Sequence, residues 1–387
     1  MLSFLICSHS LLLLLSLLLT TINPTAQSPP QDHHKHPHAW RKFEKLTDAK
    51  KGSRVEGIAD LKHYFHRLGY YHHPLVKDVT KNFTNEFDEH LEYVVTRYQQ
   101  NYGLPVTGTL DPRTLSMIMS PRCGMPDHYS MMHEKPSSLH ATQHFRYFPG
   151  QPRWDRQIPM TLSYEFSPEN LVPYLSLQEI RGAFERAFSK WASVIPVNFV
   201  ETDDYGFADI KIGFYSGDHG DGEPFDGVLG ILAHAFAPES GRFHLDAAET
   251  WVVDFKREES KAAIDLESVA LHEIGHLLGL SHSNVKESVM YPSLKPREKK
   301  LNLKFDDIEG VQYLYGTNPN FTIGALLESE TSSSSSIDFW RENWSRLLLI
   351  SIMYIRTEDA KINVNRISAP SLWGQNGIGL IDSASHV

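Results

Sequence analysis

Residues 272–282, HEIGHLLGLSH, restrict what this chain can fold into more than any other stretch. His272 and His276 stand four apart, so on a helix both imidazoles leave one face and can share a metal ion. Gly279 can take the backbone conformation that ends a helix and turns the chain back, which lets His282 reach the same ion from beyond it. Three neutral imidazoles on Zn2+ leave a fourth position open, as a catalytic site requires. Glu273 is then spare, beside the ion, where it can take a proton from water and hand it to a leaving amine. Five-residue HExxH matches also arise by chance on ordinary helices, but Gly279 and His282 make this one far more specific. Met290, in SVMYPS eight residues past His282, falls where a methionine-bearing turn beneath the metal belongs.

The chain divides around that motif. The apolar run Leu11–Leu19, broken by Ser16, leads into small and polar residues through Ala26. Residues 1–26 therefore read as a secretory signal with its cleavage zone, although no Lys or Arg precedes the run. A membrane anchor is the competing reading, and the run is well short of the ~20 residues of a span. Residues 27–40, QSPPQDHHKHPHAW, have no period. His33, His34, His36 and His38 could catch a metal there, but an unstructured leader accounts for them better.

Helical spacing follows. Ile58, Leu61, Phe65 and Leu68 step by three and four up to Gly69, and Phe87, Leu91, Val94, Val95 and Tyr98 form a second face. The turn GLPVTGTLD precedes a third short helix from Pro112 to Met119. Residues 128–143 read as a polar connector open to proteolytic nicking. Beyond Phe145, Met160, Leu162, Tyr164 and Phe166 alternate as a strand, as do Ala208, Ile210, Ile212 and Phe214. Between them, Ser176-Leu-Gln-Glu179 is a capping box before the stripe Ile180, Ala183, Phe184, Ala187, Phe188 and Trp191. Trp251–Val253 makes a further strand, Leu266–Leu280 a helix carrying the metal motif, and Ile308, Val311, Leu314 and Tyr315 a last helix stopped by Gly316. Strands with helices packed against them indicate α+β. Residues 317–387 turn to low complexity around Ser332–Ser336. The apolar run Leu347–Ile355 is too short to span and does not end the chain as a lipid-anchor tail does, so a soluble tail and an anchor signal both stay open.

Of the two cysteines, signal removal would take Cys7 and leave Cys123, in PRCGMPD at 121–127. A lone thiol in an exported chain pairs with another molecule or occupies a reactive or metal-bound site. The formal net charge of −10 argues against a nucleic-acid partner, which needs a basic face. Asn82, Asn320 and Asn343 head N-x-S/T sequons that could carry glycans.

Together these motifs resemble the matrixins, or matrix metalloproteinases, of the metzincin peptidases, over roughly residues 55–316. The resemblance implies a zinc peptidase domain at 137–316, with a twisted, mostly parallel sheet and zinc on the active-site helix. It implies a propeptide at 27–136 holding an all-α, peptidoglycan-binding-like module at about 55–120 and a cysteine switch at 121–127. In that family the lone thiolate fills zinc's fourth position, so Cys123 is implied to hold the enzyme latent, with Arg122 and Asp127 paired to fix the loop. Met125 stands where the family often has valine.

The stretches DHGDGEPFDGVLGILAHAF and FHLDAAETW resemble the matrixin structural-metal region. They imply a closed structural zinc site at His219, Asp221, His234 and His244. They also imply calcium carboxylates at Asp226, Asp246 and Glu249, with carbonyls from Gly227–Ile231. A solvated acidic loop is the competing reading. Asp209 matches a ligand of a second calcium, but AFAPESGRF, between His234 and His244, is shorter than the family's loop, which puts that site in doubt. LAHAF, 232–236, resembles the edge strand to which an extended peptide adds as another strand. YPSLKPREKKLNLKF is implied to line the pocket that selects an apolar residue just after the cut. The residues after Gly316 are too few for a propeller-like domain, a layout typical of plant matrixins, which often carry a glycan-lipid anchor.

The expectation is a secreted, monomeric zinc endopeptidase, made latent, acting on extracellular or matrix proteins and using zinc and calcium. The rival is a silent binding protein whose helical module takes a cell-wall or matrix polysaccharide. The retention of Glu273, three histidines and Cys123 speaks against such decay.

Overall fold

The computed structural model describes residues 39–71, 83–128, 145–322 and 324. The signal-like segment, Cys7, the four leader histidines, Asn82, Asn343, nearly all of the connector and residues 325–387 lie outside the described residues.

The N-terminal helices form where the apolar spacing places them: α1 (Ile58–Arg67), α2 (Glu89–Asn101) and α3 (Pro112–Ile118). Asp88 caps α2 by accepting from the Leu91 amide at 2.8 Å, and Asp111 caps α3 from the Arg113 and Thr114 amides, with Pro112 in the first turn. Leu61, Phe65, Leu91, Val95, Tyr98 and Leu115 are buried between them. The core of this module extends upstream of its first helix. A 3-10 turn, Arg41–Leu46, puts Trp40, Phe43 and Leu46 into the same core. Their three-residue spacing is the period of a 3-10 turn, not of the α-helix sought in the sequence.

Downstream lies a six-stranded sheet in the order β1-β5-β6-β4-β2-β3. Its strands are β1 (Arg122–Cys123), β2 (Met160–Phe166), β3 (Val197–Glu201), β4 (Ile210–Tyr215), β5 (Ile231–Ala235) and β6 (Arg242–Asp246). Every pairing is parallel except β5 with β6, as the mostly parallel expectation required. A small parallel pair, β7 (Thr250–Val252) with β8 (Ala263–Asp265), adjoins it. The residues of β3 and β6 carry no clean alternation, and RFHLD in β6 buries a His and an Asp, so neither reads as a strand locally.

Helix α4 (Leu177–Ala192) covers the sheet with the predicted stripe, and its Trp191 indole donates to the Leu271 carbonyl of α5 (Leu266–Leu277) at 2.9 Å. The capping box is present, with the Glu179 amide on Ser176 Oγ and the Ser176 amide on Glu179 Oε2. Ser176→Ala is therefore expected to cost about 1 kcal/mol, read as a lowered Tm, with no change in activity below the transition. All of α5 is buried, and it stops three residues short of the predicted end. Gly279 adopts φ 101° there, and a side chain would strike the Pro152 carbonyl. Helix α6 (Phe305–Tyr315) follows, and the helical module and sheet form one compact unit through Phe321.

Candidate active site

His272 and His276 leave one face of α5, and the turn at Gly279 returns His282 to them. Each Nδ1 meets an acceptor-only partner: Val289 carbonyl for His272 at 2.7 Å, Leu280 carbonyl for His276 at 2.8 Å, and Asp127 Oδ1 for His282 at 2.8 Å. Each Nδ1 must therefore carry the proton, which leaves every Nε2 as a bare lone pair. Burial pushes all three imidazoles well towards the neutral form. The Nε2 atoms of His272 and His282 are buried with no hydrogen-bond partner, while that of His276 lies 3.4 Å from Cys123 Sγ. Ligand atoms of all four residues fall within 4.8 Å of one another. A tetrahedral cation satisfies this donor set, and nothing among the described residues does.

Glu273 is fully buried beside His272, and neither of its oxygens has a hydrogen-bond partner. Burial alone pushes its carboxyl up to about 8, and burial together with the Glu273 charge raises the Cys123 thiol. A divalent charge at the histidines reverses both shifts, because it favours the anionic forms. Met290 packs beneath the helix, where a Cβ added at Gly275 would lie 2.2 Å from its sulfur. That close approach explains why glycine stands inside the metal helix.

Cys123 is held by backbone on both sides. β1 runs parallel to β5, with the Arg122 amide on the Gly230 carbonyl and the Gly124 amide on the Ala233 carbonyl at 2.8 Å. Opposite, the Cys123 amide donates to the Pro292 carbonyl at 2.9 Å and the Leu294 amide to the Pro121 carbonyl. The LAHAF strand, expected to be an edge, is not one in the full chain, because Arg122–Cys123 already occupies its free side. Behind Glu273 a cavity is lined by Leu232, Val269, Val289, Leu294 and Lys300, in part from the predicted 291–305 stretch.

Arg122 and Asp127 pair as expected, at 2.5 and 3.1 Å, with both side chains almost wholly buried. Tyr70 and Tyr102 from the helical module donate to Asp127 Oδ2 at 3.0 and 2.8 Å. Burial keeps both phenols protonated, and thus donors. Sequence reasoning missed these tyrosines, since nothing near them in the chain hints at a carboxylate more than twenty residues away.

A second cluster joins His219, Asp221, His234 and His244. Asp221 Oδ2 lies 2.8 Å from His234 Nε2 and from His244 Nδ1, and 3.0 Å from His219 Nε2. Among the described residues, only these two sets bring three or more such ligands together. The three carboxylates expected to hold calcium surround the 227–231 loop, but its amides reach them first: Gly227 on Asp246, Leu229 on Glu249 and Ile231 on Asp226. Glu249 Oε2 remains buried without a hydrogen bond, and burial with the Asp246 and Asp226 charges raises its carboxyl well above the usual range, so a cation fits beside it. Asp209 is spent otherwise: Arg156 pairs with both its oxygens, and Ser163 donates from its amide and hydroxyl. Asn320 is exposed, as a glycan acceptor must be.

Residues 153–316 match the family described as Matrixin, and residues 54–118 match a putative peptidoglycan binding domain. Metalloendoproteinase 4-MMP of Arabidopsis thaliana is 62% identical over 247 residues, covering 64% of this chain and 71% of that protein. Metalloendoproteinase 1-MMP of the same plant is 51% identical over 300 residues, 77% of this chain and 80% of that protein. Human neutrophil collagenase is 40% identical over 244 residues, 62% of this chain and 46% of that protein.

Proposed function

Because the chain belongs to the matrixin family of metalloendopeptidases, we propose that it is a secreted endopeptidase made latent by its own residues 27–136. Matrixins use catalytic and structural zinc together with calcium. We assign the catalytic zinc to His272, His276 and His282, with Cys123 as the latent fourth ligand. The structural zinc goes to His219, Asp221, His234 and His244, and a calcium to Asp226, Asp246 and Glu249 with carbonyls from the Gly227 loop. The observation that carries this reading is the buried convergence of three Nε2 lone pairs and one thiol, with the Nε2 atoms of His272 and His282 lacking any hydrogen-bond partner.

When bound, zinc supplies Lewis acidity to water and to the scissile carbonyl. Glu273 takes the proton of the attacking water and passes it to the leaving amine. β5 offers its free backbone to an extended substrate once β1 has left, and the cavity behind Glu273 receives the side chain that follows the cut. Substrates are extended segments of extracellular proteins, matrix proteins among them. Export rests on residues 1–26, and no helix among the described residues is long and apolar enough to cross a membrane.

The test is hydrolysis of a quenched peptide by residues 27–387, before and after a mercurial that captures thiols. Activity that emerges only on treatment and is lost to chelators is the expected result. Activity beforehand would sink the latency while sparing the peptidase.

The match of residues 54–118 favours a second role, binding of a cell-wall or matrix polysaccharide. Retention of the full chain, but not of residues 145–387, on an insoluble cell-wall fraction would support it.

A further inference from the structure

The three histidines converge, but they are not held alike. His272 and His276 lean on carbonyls of the peptidase region itself, at Val289 and Leu280. His282 instead leans on a carboxylate of the switch loop, Asp127 Oδ1, at 2.8 Å. That carboxylate is 2% exposed and saturated: Arg122 reaches both oxygens, and two phenols share Oδ2. The Arg122 guanidinium meets both oxygens, so the charge of the buried carboxylate is matched where it sits. A carboxylate behind an imidazole fixes its tautomer and ring plane and makes Nε2 a stronger donor than a carbonyl does.

We infer that Asp127 is a positioning residue for the third zinc ligand, so that the propeptide grips the catalytic metal at two points, Cys123 directly and His282 through Asp127. This rests on the zinc assignment above. Propeptide removal then takes away a ligand and also the acceptor that orients another. The mature peptidase keeps two of its three histidines braced by its own backbone and leaves the third to water. Latency and metal retention become linked through one carboxylate.

The experiment follows zinc release from the full chain to a colorimetric chelator in a Cys123→Ser background, which removes the direct ligand. Adding Asp127→Asn is expected to speed release of the catalytic zinc about 10- to 100-fold. An unchanged rate would overturn the inference. Tyr70→Phe with Tyr102→Phe loosens the same network without touching His282, and is expected to leave release near the Cys123→Ser rate. Equal acceleration there would assign the effect to undocking, and the inference would fail. Should Asp127→Asn not fold, the unaltered chain decides. With nitrogen-labelled histidine, the His282 Nδ1 proton resonance should move upfield when the propeptide is cleaved, while those of His272 and His276 stay. Three unmoved resonances would also overturn it. If His282→Ala does not lower zinc content, the zinc assignment itself falls, and this inference with it.

Discussion

Glu273→Gln, measured on chain freed of its propeptide, is expected to lower kcat/KM on a quenched peptide by about 10²- to 10⁴-fold, with zinc content and Tm unchanged. That range corresponds to about 3–5 kcal/mol of transition-state stabilisation. The amide fills the same buried space, so packing survives, but it cannot accept the proton of the attacking water. Glu273 is suited to that task because both its oxygens are buried and meet no hydrogen-bond partner among the described residues. Burial holds the carboxyl up at about 8, and a divalent cation at the neighbouring histidines draws it back down. Activity should accordingly fall as pH drops through the lowered value, because protonation removes the base. A Glu273→Gln chain that retains wild-type kcat/KM would end the assignment of Glu273 as base without touching the metal assignment.

Cys123→Ser in the full chain is expected to give peptidase activity without any activating treatment, yet less than the mature enzyme shows. A structural zinc site binds with about 12 kcal/mol over four ligands, so one ligand is worth about 3 kcal/mol. Its loss shifts the closed-to-open balance by about a hundredfold. The remaining contacts still oppose opening, since β1 stays hydrogen-bonded to β5 and to the 292–294 segment, and the Arg122–Asp127 pair stays sealed by Tyr70 and Tyr102. Mature-level activity would mean that this docking contributes nothing. No gain at all would mean that filling the cleft suffices and that the thiol is dispensable.

Much of the site was legible because metal chemistry is written in residue identity. His272, Glu273, His276 and His282 lie on one helix and its turn, so local periodicity already brings the two helix histidines to one face, with Glu273 next to them in the chain. The helices α1, α2 and α4 and the strands β2 and β4 were legible for the same reason, a single repeating apolar period, and α3 was legible from the turn before it. The 3-10 turn at Arg41–Leu46, the strand in RFHLD and the early end of α5 were not, because each depends on contacts with distant segments. The 227–231 loop stands between these cases. Its carboxylates were legible, but the amide donors that share them come from the backbone fold, which residue identity does not encode.

The sequence by itself determined the chemistry on offer: three imidazoles and a carboxylate on one helix-turn, a lone thiol upstream, and a second His/Asp set. Only the tertiary structure decided how these are tied. It set Cys123 between β5 and Pro292, handed the brace of His282 to Asp127, closed two distant tyrosines over that carboxylate, and gave Asp209 to Arg156. The reason is physical. Ligand identity is a property of single residues at short spacing, whereas hydrogen-bond partners of buried groups are chosen by which remote surfaces pack together.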